Sequence, residues 1–451
     1  MSRIAAHFCL GLALELTLSL SLSLRPALAQ DTAKPNPNLI TKSQLMMANA
    51  MLDNVRQAVK DNYYDPTLHG LNLTERYQAY KARLQKAPTL GDAFRIIAAF
   101  LAGLDDSHTF FLPPARSWNV YYGFRMRMEG DRPLITAVRP GTDADGKLKP
   151  GDEIVSLEGY SVNRKDLWTL NYSLDALEPR GGLHFVVRGP DGATRRETVK
   201  AKFVQHGALV GGLDQLINYS IDQGELDAKV NKLRWTTAGD VFVWKLPNFT
   251  FDQSDADSVL GRAKKYPNLV LDLRGNPGGA VDDLKYLLGY FVTGKIRVAT
   301  PQGRRHDSPI EVGPNGDHYA GKLVVVDSGS ASAAELFART VQLQRLGTVV
   351  GDTSAGAVME SQIYPMQYGD VLMGAAAPYG ASITREDLIM PDGNSLERMG
   401  VSPDVPALPA AADLASGRDT VLAKAVELLG GTADPTALGK AFPTIWPPYN
   451  N

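Results

Sequence analysis

Three short stretches of this sequence combine side chains and backbone suited to attack on a carbonyl. "KLVVVDSGSASAAELFARTVQ" (322–342) passes from an apolar, strand-like run into a helical pattern, with Ser332 at the junction. A serine at a helix start is most often a cap. The same place also sets free N–H groups and the positive end of the helix dipole beside the hydroxyl. Ser332 could then attack while the N–H of Ala333 receives the developing oxyanion. "NLVLDLRGNPGGAVDDLKYLL" (268–288) is a second strand, turn and helix, in which Gly278 and Gly279 leave backbone N–H groups open to close approach. The stretch lacks a G-K-[ST] ending and no GxGxxG occurs, so an oxyanion suits this turn better than a phosphate. "LAGLDDSHTFFLPP" (101–114) contains Ser107-His108, and an imidazole with an ordinary pKa of ~6.5 suits a base at neutral pH.

Composition narrows the chemistry. The chain has 451 residues, 44% hydrophobic and 21% charged, with a formal net charge of -2. That is globular composition for about two or three domains. It gives no electrostatic reason to expect nucleic acid. HExxH is absent and the single cysteine is Cys9, so neither metal nor organic cofactor is expected. Residues 1–29 read as a secretory signal, with Arg3, the run "LTLSLSLSL" (16–24) and Ala27-Leu28-Ala29 before Gln30. Glu15 interrupts the apolar region, which leaves an uncleaved anchor as the alternative. No later segment approaches 18 apolar residues, so no membrane span is expected after cleavage. The expected location is periplasmic or secreted. Cleavage would also remove the only thiol.

The elements that must position these groups follow from periodicity and turns. Residues 30–40 are polar and proline-bearing. From Thr41 to about Leu104, apolar residues recur at three- and four-residue spacing, which predicts helices forming a cap or a dimerisation element. Residues 118–205 alternate β-rich runs with Gly/Pro turns. Beyond about 235, strand-like "DVFVWKLPNF", "NLVLDLRG", "KLVVVDSG" and "GTVVGD" interleave with helical "GAVDDLKYLLGYF" and "AAELFARTVQLQRL", which predicts an α/β core.

Taken in order, "DLRGNPGG", "SASAAE", "GDTSAG" and "ERMGVSPDV" resemble the tail-specific, or C-terminal processing, serine peptidases. The resemblance implies an α/β core of the crotonase/ClpP-like kind (207–451), an inserted PDZ β-domain (116–206) and an N-terminal helical region (30–115). It makes Ser332 the nucleophile, places Gly278 and Gly279 in the oxyanion hole, and gives Glu335 and Ser354 supporting roles, with Asp352 an alternative for such a role. "LITAVRPGTDADGKLKPGDEIVSLEGYSV" resembles a PDZ domain, whose G-F loop receives a peptide carboxylate. Tyr122, Gly123 and Phe124 stand at that loop.

One departure bears on mechanism. Bacterial tail-specific enzymes carry a lysine where this chain has Ala357 in "GDTSAGA". "DSHT" is instead similar to the tricorn-core branch, where a Ser-His pair and a distant glutamate complete a Ser-His-Ser-Glu tetrad. That implies His108 as base, with Glu397 orienting Ser107; a surface carboxylate is the plain alternative for Glu397. The expectation is a serine peptidase acting on peptides or proteins through an acyl-enzyme. An inactive PDZ-containing peptide binder is the alternative, and an envelope scaffold the third reading. Homo-oligomerisation stays open.

Overall fold

The computed structural model describes residues 39–116, 118–205, 233–304, 308–316, 318–319, 323–369, 377–446 and 449. The signal and its cleavage site lie outside them. Thr41 caps α1 (Lys42–Asn62) through a capping box with Gln44. Asn72 caps α2 (Leu73–Leu84), and Thr89 caps α3 (Leu90–Leu101). Ala48, Met51, Leu52, Val55 and Val59 form the buried stripe of α1. With Phe94, Ile97 and Leu101 of α3, that stripe packs on Tyr379, Ala381 and Ile383 from the other end of the chain. The apolar periodicity of this region is therefore satisfied by the chain's own sheet.

After α3, Asp105 turns left-handed (φ 54°) and the chain enters β1 (Phe110–Leu112). β2 (Trp118–Tyr121) leads into an antiparallel sheet of β3 (Phe124–Glu129), β4 (Arg132–Val138), β5 (Glu153–Leu157), β6 (Gly182–Arg188) and β7 (Thr194–Lys200), in that spatial order. Helix α4 (Leu167–Tyr172), extended by a wider turn to Leu177, crosses between β5 and β6. β8 (Lys202–Gln205) returns to pair with β2. Ile135, Leu157, Leu183, Phe185 and Val199 give this unit its own core.

The second half builds a mostly parallel sheet from β9 (Arg234–Ala238), β10 (Val241–Lys245), β11 (Asn268–Asp272), β14 (Leu323–Val326), β15 (Thr348–Gly351) and β18 (Val405–Pro406). Their spatial order is β18-β15-β14-β11-β10-β9, with β9 antiparallel to its neighbour. Helices α5 (Gln253–Ala263), α6 (Val281–Gly289) and α7 (Ala333–Leu343) cover one face. After a short α8 (Ala411–Ala415), α9 (Thr420–Leu428) and α10 (Pro435–Ala441) cover the other. Burial on both faces explains why β10 and β11 read as unbroken apolar runs. β12 (Ile296–Gly303), β13 (Ile310–Val312), β16 (Met359–Tyr368) and β17 (Ala377–Ile389) form a separate antiparallel sheet. β1 joins it through Phe110↔Ser382, which brings the residues just before β1 to the α/β core.

The motif D-L-R works as a buried ionic clamp. Asp272 is fully buried and pairs with Arg274 (2.9 Å) and Lys245 (3.3 Å), while Arg274 also reaches Asp419 (2.7 Å), the cap of α9. Burial pushes the Asp272 carboxyl up, but the two cations outweigh it and hold it well below the usual carboxylate range. Arg274→Ala would strand these carboxylates. A loss of ~3–5 kcal/mol in urea unfolding is expected, whereas a loss under ~1 kcal/mol would mean a solvated pair.

Candidate active site

Ser332 is the residue before α7 and has φ 54°, ψ -118°. An L-residue pays for this conformation with ~1–3 kcal/mol of strain unless neighbours fix it. Three contacts do. The Ser332 N–H donates both to the carbonyl of Ala357 (3.0 Å) and to Oε2 of Glu335 (3.0 Å), and its carbonyl accepts from the N–H of Glu335 (2.9 Å). The Ser332 hydroxyl makes no cap hydrogen bond. The crowd of small residues has a steric cause. Ala331 N–H donates to the Asn276 carbonyl (2.9 Å), Gly275 N–H to Asp327 (2.8 Å), and Ser330 Oγ to the Leu273 carbonyl (2.9 Å). The turns after β11 and β14 are thus laced together.

Glu335 is wholly buried and accepts four hydrogen bonds. Oε2 takes the N–H groups of Ser332 and Ala357 (2.9 Å); Oε1 takes Ser354 Oγ (2.5 Å) and Gly356 N–H (2.8 Å). Burial raises its carboxyl to about 7 against the opposing pull of those donors. Ser354 Oγ accepts in turn from Val401 N–H (2.6 Å). Ala357 therefore lies against Ser332 through backbone on both sides, and its methyl side chain brings no base there. Asp352 serves elsewhere. It pairs with Arg164 (2.7 Å) and accepts from Gly130 N–H (2.9 Å), joining the β3–β4 turn to the core.

Ser107, His108 and Glu397 meet although 290 positions separate Ser107 from Glu397. Ser107 Oγ donates to Glu397 Oε2 (2.8 Å), Ser107 N–H donates to Oε1 (2.7 Å), and Oγ lies 2.7 Å from His108 Nδ1. With Glu397 ionised, the one hydroxyl proton of Ser107 is committed to it. The Ser107 oxygen must then accept from Nδ1–H, which leaves Nε2 as the basic nitrogen. Burial lowers the His108 pKa, opposed by the charge of Asp106, and burial raises that of Glu397. Glu397 Oε2 also accepts from Val358 N–H (2.9 Å), so Ser332 and Glu397 are hung from consecutive residues, Ala357 and Val358. Among the described residues no hydrogen bond joins His108 Nε2 to Ser332 Oγ; the ring is held from its Nδ1 side alone.

The glycine pair divides its labour. Gly278 N–H donates to Asn276 Oδ1 (2.9 Å). Its role is clearance: a Cβ there would stand 2.6 Å from Ser332 Cβ and 3.0 Å from the Ala333 nitrogen. Gly279 (φ 145°) is pressed against the Phe249 backbone, and its N–H and that of Ala333 have no acceptor among the described residues. Between β2 and β3, buried Tyr122 accepts from Arg180 N–H (2.9 Å), while Gly123 (φ 78°) accepts from Arg139 N–H (2.8 Å). With Phe124, Arg125 and Leu174 they line a cleft of about 380 Å³ between β3 and α4.

Two positioning residues escaped sequence reasoning. Asp106 Oδ1 accepts from His108 N–H (2.9 Å), Thr109 N–H (2.7 Å) and Thr384 Oγ1 (2.6 Å), pinning the Ser-His turn to β17. Its local signal is an aspartate opening a turn. Asn276, fully buried, donates to the Leu246 carbonyl (3.0 Å) and accepts from Gly278 N–H, bracing the glycine turn against the chain after β10; only its place in N-P-G-G marked it.

Residues 241–407 match the model of peptidase family S41. The S41 segment takes in Gly278, Gly279, Ser332, Glu335, Ala357 and Glu397 but not Ser107-His108. The chain is similar to the tail-specific protease of Haemophilus influenzae, 26% identical over 357 residues covering 74% of this chain and 48% of that protein. It is also similar to a tricorn protease homolog of Streptomyces coelicolor, 23% identical over 83% of this chain and 32% of that protein. The chain thus spans a third to a half of the length of these curated relatives. Among solved structures, mature CPAF complexed with lactacystin shares the fold, with a TM-score of 0.61, 17% identity, and coverage of 83% of this chain and 96% of that one. Residues 241–407 thus resemble peptidase family S41, and the chain as a whole is similar to a tail-specific protease.

Gly278→Ala tests the clearance at Ser332. Displacing Ser332 by part of an ångström should slow its reaction with a fluorophosphonate by ~100-fold, with the fold intact by circular dichroism.

Proposed function

We propose that this chain is a serine peptidase with a tetrad of Ser332, His108, Ser107 and Glu397. The reading rests above all on the hydrogen-bonded series Glu397–Ser107–His108, which leaves one imidazole nitrogen basic and unengaged. Ser332 Oγ attacks the scissile carbonyl as its proton passes to His108 Nε2. The N–H groups of Ala333 and Gly279 hold the oxyanion. The C–N bond breaks as the imidazolium protonates the departing amine. Water, deprotonated by the same nitrogen, then opens the acyl-enzyme and restores Ser332. Glu335 is a positioning residue that fixes the backbone of Ser332, assisted by Ser354.

The domain reading follows: residues 30–115 carry the base on a helical cap, 116–206 are a PDZ domain, and 207–451 are a crotonase-like peptidase core. The cleft at Tyr122, Gly123 and Phe124 receives extended peptide, the open edge of β3 supplying main-chain partners. Peptides or protein tails are the substrates. No helix among the described residues is long and apolar enough to cross a membrane. Action in the periplasm or outside the cell rests on the signal-like residues 1–29.

The missing Nε2–Oγ bond favours a second reading, an inactive peptide binder. Unliganded sites are often looser than their working complexes, and labelling separates the two. A fluorophosphonate should label the wild type, leave Ser332→Ala untouched, and label His108→Gln at least ~100-fold more slowly. The base works only when neutral, and burial lowers its pKa. The labelling rate should therefore hold on acidification past the ordinary histidine value of 6.5 and fall below it. An inert wild type would establish the binder.

A further inference from the structure

The chain's own C-terminal tail runs along the cleft between β3 and α4 and forms part of its wall. Beyond α10, Phe442 packs into the lower core, and the Pro443 carbonyl accepts from Arg234 Nη1 (2.9 Å). The chain then leaves the core and crosses to β3 and the β2–β8 pair. The Ile445 carbonyl accepts from Arg125 Nη2 (3.2 Å), the Arg125 guanidinium lies 5.1 Å from the Trp446 ring centroid, and Trp446 forms part of the cleft lining. Further on, the Tyr449 ring meets the edge of Tyr121 at 5.0 Å. Arg139 and Lys202 flank it, 3.7 and 3.5 Å from its centroid. Two aromatic residues of the tail thus sit among three cations contributed by β3, the end of β4 and β8. β3 is the edge strand of its sheet, where an added peptide would lie.

We propose that Ile445, Trp446 and Tyr449 act as a resident ligand of this cleft, a strap in cis that an incoming peptide must displace. The cleft then selects tails bearing aromatic side chains, because cations over ring faces are what it offers. This deepens the reading of the cleft as a peptide site and rests on it, but not on hydrolysis. The contacts are individually weak, and tethering makes them effective. A flexible linkage holds its ligand at an effective concentration of ~1 mM, enough to suppress a competitor severalfold to tenfold when the tail's own dissociation constant is ~100 μM.

The test uses a fluorescein-labelled peptide copying residues 443–451, PTIWPPYNN, and full-length Ser332→Ala protein so that nothing is cut. Fluorescence anisotropy should show binding tighter by more than twofold and up to ~10-fold when Trp446→Ala and Tyr449→Ala are added to that background. Affinities within twofold would overturn the strap, and binding by neither protein would overturn the cleft as a peptide site. Labelling of Ser332 is untouched by either outcome, so failure here and failure of the peptidase reading are told apart. Hydrogen exchange supplies a readout without changing the tail. Excess unlabelled peptide should speed exchange at Thr444, Ile445 and Trp446 in the Ser332→Ala protein. Unchanged exchange at saturating peptide would overturn the proposal.

Discussion

A buried carboxylate holds Ser332 in a backbone shape it would otherwise leave. Ser332 occupies a positive-φ conformation, and Glu335 binds its N–H while binding Ala357, Gly356 and Ser354 with its remaining lone pairs. One side chain on the first turn of α7 thereby fixes both the loop of Ser332, the proposed nucleophile, and the loop opposite. The strain is tolerable because four donors converge on a carboxylate that water cannot reach. The same convergence presents the Ala333 N–H at the helix start, with no acceptor among the described residues.

The proposed base lies outside this frame. Ala357 faces Ser332 with backbone only, so on this reading a proton acceptor comes from another element. The candidate, His108, lies in the turn between α3 and β1, carried in because β1 pairs with β17 and because Asp106 ties the turn to Thr384. Glu397 completes the link: it accepts from Ser107 on one side and from Val358 on the other. A helical cap at one end of the sequence and a carboxylate near the other are thus brought to one loop by sheet pairing. The burial that accompanies this assembly lowers the His108 pKa and so favours the neutral ring, the form that can accept a proton.

Much of this was legible in the sequence, and the failures have physical causes. The apolar runs at 241–245 and 268–272 and the stripes of α1 and α7 announced themselves because periodicity reports burial directly. Ser332, Gly278 and Gly279 were visible because small residues at a strand–helix turn are costly without a reason. The antiparallel sheet of β12, β13, β16 and β17 was not, since polar residues line its open face and strand pairing across long separations leaves no local trace. Sequence also could not show that Gly278 N–H is taken by Asn276, nor that the stripe of α1 is buried by β17 rather than by a second chain. Glu397 was reached through order along the chain; its contact with Ser107 is a tertiary fact.

The most direct measurement of the central claim is the fluorophosphonate labelling rate of Glu335→Gln, read beside its melting temperature. The substitution keeps the shape of the side chain but turns one acceptor into an amide donor facing backbone N–H groups or a hydroxyl already engaged as donors. If Glu335 holds Ser332 in place, labelling slows ~100-fold while the protein still melts cooperatively. A rate within threefold of wild type would contradict the account, because Ser332 would then keep its geometry without the carboxylate.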